Sequence, residues 1–370
     1  MAVAARFEIL AEAAVLYFAP MKTTIRWGMI GCGDVAEVKS GPAFQKANGS
    51  ELSAVMRRRG DLAADFARRH GVRAWYDDAA ALINDLAVDA VYVATPPGAH
   101  EELALAVCAA RKPAYVEKPM ARNHAECRRM VDAFAAAGVP LYVAYYRRAQ
   151  PRFLRARELV AAGALGRITG VSYRLAGPYH RDIEERVRDG EALPWRVQAE
   201  HAGGGLFLDL GCHTLDILDF ILGPLEEVRG SASNIATPHL VEDGVAMTFR
   251  TAGGALGAAQ WSFASDERAD EIVIAGDRGE LRLSTFGNEP VVLRRGGEVE
   301  RFDLPTPKHV QQPMIQTIVD DLLGRGRCES TGVTAARTSA VIDEVLRGYY
   351  GTREDGFWRE PERWPGRRTL

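Results

Sequence analysis

The sequence predicts an α/β protein built from two parts. In the first part, short apolar runs alternate with helix-compatible segments, a pattern typical of a parallel sheet covered on both faces. In the second part, alternating apolar runs are separated by glycine-containing turns at 253–254, 276–279 and 296–297, which indicates antiparallel hairpins. The chain has 370 residues, of which 47% are hydrophobic, so both parts can bury a core.

Composition and charge exclude several classes of protein. The formal net charge is −3, without a basic stripe or a block of like charges, so we expect neither nucleic acid nor a membrane as the partner. The mildly apolar segment 13–19 is too short to span a bilayer and lacks the layout of a signal peptide. Five scattered cysteines without metal-ligand spacing predict reduced thiols in a cytoplasmic protein, and no metal site.

Residues 25 to 36 form the most informative segment. A short apolar run ends in Gly31-x-Gly33-x-x-Ala36, and helix-compatible sequence follows, which is the order of the dinucleotide-binding fingerprint. Gly31 allows a tight turn, Gly33 leaves room for a pyrophosphate, and Ala36 lets helix and strand pack closely. A purely structural glycine turn is the alternative. We expect the dinucleotide to contact Gly31, Cys32, Gly33, Asp34, Val35 and Ala36.

Three arginines, residues 57–59, follow the second predicted strand. Domains that prefer NAD usually place an acid here for the ribose 2′-hydroxyl, whereas an arginine suits a 2′-phosphate. We therefore predict that the cofactor is NADP rather than NAD, with Arg57 and Arg58 as the phosphate contacts. The alternative is that the three arginines form a solvated surface loop.

Two further strand ends carry candidate site residues. Thr95-Pro96-Pro97 ends one buried strand, and Glu117-Lys118-Pro119 ends the next. Ligands of parallel sheets lie beyond the carboxyl ends of the strands, so both segments are expected to border the cofactor. The two prolines could equally form a rigid turn, and Lys118 could be a surface residue, as most lysines are.

A predicted helix over residues 204–222 dominates the second part. Apolar residues line two of its sides, so it must be largely buried. Asp209, His213 and Asp216 follow at i, i+4 and i+7 and are predicted to face a common space. Alternatively, the two aspartates pair with His213 and hold it in the core.

Together, four motifs resemble the Gfo/Idh/MocA family, named for glucose-fructose oxidoreductase and inositol dehydrogenase. They are Gly31-x-Gly33-x-x-Ala36, Ala94-Thr95-Pro96-Pro97 with His100, Glu117-Lys118-Pro119, and the segment 203–213, Gly-Gly-Gly-Leu-Phe-Leu-Asp-Leu-Gly-Cys-His. The resemblance extends from about residue 24 to residue 350. It implies a Rossmann domain followed by an α/β domain with an open, mainly antiparallel sheet, and a substrate held between them.

The resemblance also implies an activity and residue roles. A nicotinamide cofactor would exchange a hydride with a sugar, cyclitol or related polyol. Lys118 matches the family's catalytic lysine, Asp209 its substrate-binding aspartate, and His213 its acid/base histidine. Arg57 departs from the acid of many NAD-using members, which puts NAD in doubt. The expected cofactor contacts beyond the glycine turn are Arg57, Arg58, Thr95, Pro96, Pro97, His100, Glu117 and Lys118.

We assign the proton exchange to His213, the stabilisation of charge on oxygen to Lys118, and the orientation of hydroxyls to Asp209. The roles of His213 and Lys118 could be exchanged, because a desolvated lysine can act as a base. Trp195 and Arg196 lie in a stretch, 177–203, that is predicted to be irregular. They could hold a sugar ring, or Trp195 could anchor the loop. The expected substrate contacts are Lys118, Tyr146, Arg147, Trp195, Arg196, Asp209 and His213.

The predicted organisation is an N-terminal extension (1–21), a dinucleotide-binding domain (22–145), a substrate-binding and oligomerisation domain (146–350), and a C-terminal tail (351–370). The apolar segment 245–263 predicts a homodimer or homotetramer formed through the second sheet, although burial in the core explains the same residues. Two other functions fit the fold: a nicotinamide-sensing regulator without activity, and an NAD-dependent glycoside-cleaving enzyme. A regulator without activity would be expected to lack Lys118 or His213, and this chain has both.

Overall fold

The computed structural model describes residues 22–33 and 36–367. The predicted N-terminal extension, residues 1–21, lies outside the described residues, and so do Asp34 and Val35 of the glycine turn. The described chain contains one sheet of six strands and one of eight. This arrangement confirms the predicted class, a Rossmann domain followed by an α/β domain with an open, mainly antiparallel sheet.

The first sheet consists of β1 (Ile25–Ile30), β2 (Ser50–Met56), β3 (Ala74–Tyr76), β4 (Ala90–Val93), β5 (Ala114–Val116) and β6 (Leu141–Val143). Its strands are parallel, in the order β3-β2-β1-β4-β5-β6. Ile30 pairs with both Met56 and Val93, and Val116 pairs with both Val93 and Val143. The carboxyl ends of these strands are therefore aligned along one edge, where doubly wound sheets bind ligands.

The helices of this half are α1 (Gly41–Lys46), α2 (Gly60–His70), α3 (Ala79–Asn84), α4 (His100–Ala109) and α5 (His124–Ala137). A π-type turn, Ala36–Ser40, precedes α1. Trp27 and Met29 of β1 face one hydrophobic core, whereas Ile30 and Val93 face another. The strands are thus buried on both faces, which is why they form continuous apolar runs in the sequence.

The second sheet consists of β7 (Ile168–Ala176), β8 (Leu225–Ser233), β9 (Gly244–Thr251), β10 (Leu256–Ser262), β11 (Ala269–Gly276), β12 (Glu280–Leu283), β13 (Val291–Arg295) and β14 (Glu298–Phe302). The order is β14-β13-β12-β11-β7-β10-β9-β8, antiparallel except for the parallel pair of β7 and β10. The glycines predicted to form hairpins lie in the turns between β9 and β10, β11 and β12, and β13 and β14.

The second sheet has one buried and one exposed face. Along β9, Val245, Met247 and Phe249 are buried, whereas Ala246 and Thr248 are exposed. The buried side chains belong to a core shared with the helices of this half. The exposed face is left for water or for another chain.

The helices of the second half are α6 (Pro151–Ala161), α7 (Arg181–Arg188), α8 (Ala199–Ala202), α9 (Cys212–Leu222), α10 (Gln312–Leu322) and α11 (Gly332–Tyr350). The prediction that residues 177–203 are irregular was wrong, since α7 and α8 lie within this stretch. Ile183 is the one buried residue of α7, so the helix has no apolar stripe to reveal it. Its arginines and glutamates favour the helix by propensity instead.

The predicted helix over 204–222 begins later than expected. A π-type turn, Phe207–Gly211, leads into α9. Gly203 has a φ of +85°, and a Cβ there would lie 2.4 Å from the carbonyl oxygen of Arg122. The N–H of Gly205 donates to the buried carboxylate of Glu242, at 2.9 and 3.0 Å. The glycines thus form a tight turn before the helix.

Two later segments pack across the predicted domain boundaries. Met314 and Ile315 of α10 belong to the core that contains Trp27 of the first sheet. Trp364 is buried beside Tyr350, and Arg353 donates to the carbonyl oxygen of Arg122 at 2.7 Å. The range 146–350 therefore does not coincide with a single packing unit, and the boundary between residues 145 and 146 stays a prediction. Among the described helices, none is long and apolar enough to cross a membrane.

Candidate active site

The glycine turn at the end of β1 lies at the edge where the carboxyl ends of the parallel strands are aligned, the place where doubly wound sheets hold ligands in a crevice. Gly31 has a φ of +96°, and a Cβ there would lie 2.7 Å from the carbonyl oxygen of Ala94. A Cβ on Gly33 would meet no described atom within 4 Å, so the backbone there is open to a ligand. Ala36 is fully buried, as the fingerprint requires. These three positions fit the close approach of a dinucleotide pyrophosphate.

Thr95, Pro96 and Pro97 border the same crevice after β4. The Oγ1 of Thr95 is buried and forms no hydrogen bond with the described residues. His100 is fully buried, and its ring nitrogens contact the carbonyl oxygens of Thr95 at 2.7 Å and Pro119 at 3.1 Å. His100 thus connects the two segments through its ring nitrogens. Because it is fully buried, it has no exposed surface that could contact a cofactor.

Glu117 anchors the end of β5. Its carboxylate accepts hydrogen bonds from the Tyr92 hydroxyl and the Gln311 side chain, both at 2.5 Å, and from the N–H of Lys118 at 3.1 Å. The side chain is buried, so these donors satisfy a charge that would otherwise be costly. Glu117 therefore fixes the position of the Lys118 backbone through this hydrogen bond.

Lys118 connects the first sheet to the turn before α9. Its ammonium lies 2.5 Å from the carboxylate and 2.8 Å from the carbonyl oxygen of Asp209. The other carboxylate oxygen of Asp209 lies 3.2 Å from Arg196. Burial alone would lower the pKa of Lys118, but the charge of Asp209 outweighs it and raises the pKa above its usual value. Burial would raise the pKa of Asp209, but Lys118, Arg196 and Lys39 hold it below its usual value.

His213 lies in a buried pocket beside this pair. Its Nδ1 is 3.1 Å from Nη1 of Arg147, and its ring packs edge-on against Tyr146 and Phe286. A guanidinium nitrogen has no lone pair, so Nδ1 must accept and the ring proton must be on Nε2. Burial and the charges of Arg147, Lys118 and Lys39 hold the pKa of His213 well below its usual value. His213 is thus a neutral hydrogen-bond donor.

Arg147 is fixed by neutral groups. Its Nε donates to the carbonyl oxygen of Thr285 at 2.9 Å, and its Nη1 donates to the Tyr146 hydroxyl at 3.0 Å. The guanidinium lies 4.7 Å from the centre of the Phe286 ring. The loop that carries Thr285 and Phe286 is held by Asp270, whose carboxylate accepts their backbone N–H groups at 3.0 and 2.6 Å.

The predicted common stripe of Asp209, His213 and Asp216 forms only in part: the charges of Lys118 and Lys39 act on both Asp209 and His213, whereas Asp216 lies in a separate ion pair. Asp209 contacts Lys118, His213 contacts Arg147, and Asp216 binds Arg148 at 2.7 Å. The π-type turn shifts Asp209 out of helical register with the residues that follow. The alternative arrangement, in which Asp209 and Asp216 pair with His213, does not occur. Their carboxylates bind Lys118, Arg196 and Arg148 instead.

The remaining predicted residues lie at the rim. The guanidinium of Arg196 stacks 4.7 Å from the Trp195 ring, and both residues are partly exposed. Arg57 and Arg58 follow β2 and form no ion pair with a described residue, whereas Arg59 pairs with Asp61 at 2.6 Å. The charge of Arg57 acts on the thiol of Cys32 in the glycine turn, so Arg57 lies close to the crevice.

Several residues of the site had no signal in the sequence. Lys39 follows the glycine turn in the chain, and its charge acts on both Asp209 and His213. Gln311 and Phe286 come from loops far along the chain. The position of Lys39 after the fingerprint could have indicated its proximity to the crevice, but Gln311 and Phe286 are brought in by tertiary packing alone.

This site defines a class of protein, the two-domain nicotinamide-dependent oxidoreductases, in which a Rossmann crevice faces a helix of a second sheet domain. Residues 25–145 match the oxidoreductase family with an NAD-binding Rossmann fold, and residues 153–282 match the GFO/IDH/MocA C-terminal domain. The chain belongs to the Gfo/Idh/MocA family, which confirms the resemblance identified from its motifs.

Individual proteins support this assignment. The chain is 35% identical to Oxidoreductase P35 of Formosa agariphila over 333 residues, which cover 90% of this chain and 100% of the relative. It is 30% identical to 1,5-anhydro-D-fructose reductase of Ensifer adhaerens over 346 residues, covering 90% and 99% of the two chains. The structure of levoglucosan dehydrogenase in complex with NADH shares the fold, with a TM-score of 0.78 at 21% identity over 88% of this chain and 96% of that one.

The environment of His213 predicts its titration. In nitrogen-15 NMR of histidine-labelled protein, His213 should show an unprotonated Nδ1 and a protonated Nε2 and should stay neutral through its usual titration range. Arg147→Met removes a nearby positive charge, so the pKa of His213 should move upward. His213→Gln identifies the signal by its loss. A wild-type His213 protonated on Nδ1 at neutral pH would contradict the assignment.

Proposed function

We propose that this oxidoreductase transfers a hydride between a nicotinamide and a carbinol or carbonyl carbon of a sugar, cyclitol or related polyol. The contact between Lys118 and Asp209 carries the proposal, because it brings the edge of the first sheet, where the cofactor crevice lies, to the polar groups beside α9. The names of the relatives, 1,5-anhydro-D-fructose reductase and levoglucosan dehydrogenase, support a sugar-like substrate.

Lys118 is the proposed proton carrier. When bound, the nicotinamide supplies the hydride chemistry, and the protein supplies position and electrostatics. The raised pKa of Lys118 keeps its ammonium protonated near neutral pH. In the reduction direction, this ammonium binds the substrate oxygen, stabilises its growing negative charge and donates a proton to it.

His213 is proposed to act as a second donor to the same oxygen. Its Nδ1 is occupied by Arg147, so the group that it offers is Nε2–H. A neutral imidazole of this kind can polarise a carbonyl without releasing its own proton. This proposal exchanges the roles first assigned to Lys118 and His213, an exchange that the sequence left open.

Asp209 is proposed to orient the substrate hydroxyls. Its two carboxylate oxygens face different cations, Lys118 and Arg196. When the Lys118 ammonium turns to the reacting oxygen, the freed carboxylate oxygen accepts a hydrogen bond from a neighbouring hydroxyl. The substrate then lies between Lys118, Asp209 and His213, with Trp195 and Arg196 at the rim.

The test combines cofactor binding with turnover. Fluorescence titration with NADPH and NADH should show binding, and a panel of polyols and ketoses should give turnover at the nicotinamide absorbance band. Lys118→Met should lower kcat by about 10³-fold because it removes the proton carrier. His213→Gln should cost less, about 10- to 100-fold, as a lost hydrogen bond to a charged group.

Lys112→Met is the matched control, since Lys112 precedes β5 at its opposite end. It should keep turnover within about threefold of the wild type, in line with substitutions away from a site. Near-normal turnover of Lys118→Met, or a larger loss in His213→Gln, would refute the proton assignment. Cofactor binding without turnover of any compound would favour the regulator instead.

We also propose that the cofactor is NADP. Arg57 and Arg58 lie at the carboxyl end of β2 and form no ion pair with the described residues, so their charges are available to a 2′-phosphate. Arg59, in contrast, is already paired with Asp61. The proposal concerns only the preference for NADP over NAD, because the family fold itself binds a nicotinamide dinucleotide.

The double variant Arg57→Ala/Arg58→Ala tests this preference. The KM for NADP(H) should rise at least about tenfold, because charge-assisted hydrogen bonds to the phosphate are lost, whereas the KM for NAD(H) should change little. Arg59→Ala serves as the control and should leave both values unchanged. Equal catalytic efficiency of the wild type with NAD and NADP would remove the basis of the proposal.

We further propose that the exposed face of the second sheet forms a homo-oligomer interface. Thr248, Ala258 and Leu256 are exposed on this face, and Leu256 is 63% exposed. Small or apolar side chains on an exposed sheet face permit close packing of a second copy. The proposed assembly is a homodimer or homotetramer.

Analytical ultracentrifugation measures the assembly of the 40.4 kDa chain. The wild type should sediment as a dimer or tetramer, and Ala258→Arg should shift it to the monomer, because buried unpaired charges are costly. Ala136→Arg, an exposed position on α5, should leave the assembly unchanged. A monomeric wild type would contradict the interface.

A further inference from the structure

The crevice contains more positive than negative charge. Two carboxylates belong to it, Asp209 and Glu117, and the oxygens of Glu117 are already occupied by Tyr92, Gln311 and the N–H of Lys118. The cations around these groups are Lys39, Lys118, Arg147 and Arg196. His213 is neutral, so two cations are left without a carboxylate.

Arg147 is one of these two cations, and it is buried. Its side chain is only 9% exposed, yet its hydrogen bonds go to Thr285, Tyr146 and His213, which are neutral groups. Nη2 has no hydrogen-bond partner among the residues that the structure describes. The next residue, Arg148, is equally buried and binds the carboxylates of Asp216 and Asp219, at 2.7 and 3.1 Å.

This contrast matters because a buried guanidinium without a counter-charge is unfavourable. The buried guanidinium of Arg148 has two carboxylate partners, Asp216 and Asp219. Arg147 forms no ion pair with a described residue, and the carboxylate of Asp270, which holds the loop beside it, is occupied by backbone N–H groups of that loop. A positive charge held rigidly in a pocket of Tyr146 and Phe286 is therefore available to an anion from outside the chain.

Lys39 is the second unpaired cation. It is exposed and forms no ion pair with a described residue, and its charge acts on both Asp209 and His213. It comes from the turn after the glycine fingerprint, whereas Arg147 follows β6. Lys39 and Arg147 thus belong to different elements, and the charges of both act on His213.

We propose that Arg147 and Lys39 form a subsite for an anionic group of the substrate, which makes the substrate an acidic sugar or polyol rather than a neutral one. The anion is a carboxylate, as in a uronate, or a phosphate ester. Arg147 offers the free N–H groups of Nη2, and Lys39 adds a flexible charge. The inference rests on the proposed function and specifies its substrate class.

The subsite also gives a mechanism of selection. A neutral sugar leaves the buried guanidinium of Arg147 unpaired, whereas an anionic substrate neutralises it. Discrimination of this kind is strong because the unsatisfied group belongs to the protein and stays buried. The anion would also fix the orientation of the sugar relative to Lys118, since Arg147 and His213 are in direct contact.

The test uses the full-length protein saturated with NADPH and three probes of similar size. D-glucuronate, D-glucose 6-phosphate and D-glucose are titrated by calorimetry at low ionic strength. At least one anion should bind about tenfold or more tightly than glucose, the gain expected for a hydrogen-bonded charge, and this gain should shrink with added salt. Tighter binding of glucuronate identifies a carboxylate subsite, and tighter binding of the phosphate identifies a phosphate subsite.

Variants distinguish an effect on anion binding at the subsite from an effect on folding or on cofactor binding. Lys39→Met should reduce the preference for the anion about tenfold, measured as the ratio of the anion and glucose affinities, and the affinity for NADPH is measured beside it. Lys46→Met removes an exposed charge from α1 and should change none of these values. Arg147→Lys keeps the charge and should retain part of the preference that Arg147→Met abolishes.

Two binding results would overturn the subsite: equal binding of glucose and both anions by the wild type, or a Lys39→Met variant that weakens the binding of NADPH and not that of the anion. Turnover of neutral sugars with the same kcat/KM as their acids would also overturn it, while leaving the oxidoreductase function intact. Failure to bind either nicotinamide nucleotide, in contrast, would refute the proposed function itself.

Discussion

Two consecutive arginines set the position of the second half of the site. As the chain leaves β6, Arg148 binds Asp216 and Asp219 of α9, and Arg147 contacts His213 one turn earlier. Breaking a buried ion pair of this kind typically costs about 3–5 kcal/mol, so the helix has little freedom to move on the first sheet. Because α9 is held in this way, the turn before it brings Asp209 to Lys118.

The electrostatics of the site follow from this docking. Lys118 keeps its proton because Asp209 faces it, whereas His213 stays neutral because it is buried among cations. Two groups with opposite pKa shifts thus lie side by side, an arrangement typical of sites that divide the roles of proton donor and hydrogen-bond donor. Neither shift arises from the residue itself: the charge of Asp209 raises the pKa of Lys118, and burial with the charges of Arg147, Lys118 and Lys39 lowers the pKa of His213.

The sequence predicted those parts of the molecule that depend on local rules. Glycine spacing located the crevice, and apolar runs located the parallel strands, whose aligned ends bring Gly31, Thr95 and Lys118 to one edge. The predictions were wrong where tertiary packing determines the local structure. The helix α7 has one buried residue, and the π-type turn breaks the spacing from which the polar stripe was inferred. Thr285, which binds Arg147, and Gln311, which binds Glu117, come from loops whose tertiary positions local rules do not give.

The loop between β12 and β13 is secured independently of the groups proposed to handle the proton. Asp270 holds the backbone of Thr285 and Phe286, and this loop in turn supports Arg147 through a carbonyl oxygen and an aromatic face. A mutation in the loop would therefore act on Arg147 and, through Arg147 and Phe286, on His213, whereas the contact between Lys118 and Asp209 contains no residue of the loop. A change of substrate class through this loop would thus affect Arg147 and His213 together and leave the Lys118–Asp209 pair in place, so the proposed proton carrier is insulated from mutations that alter selectivity.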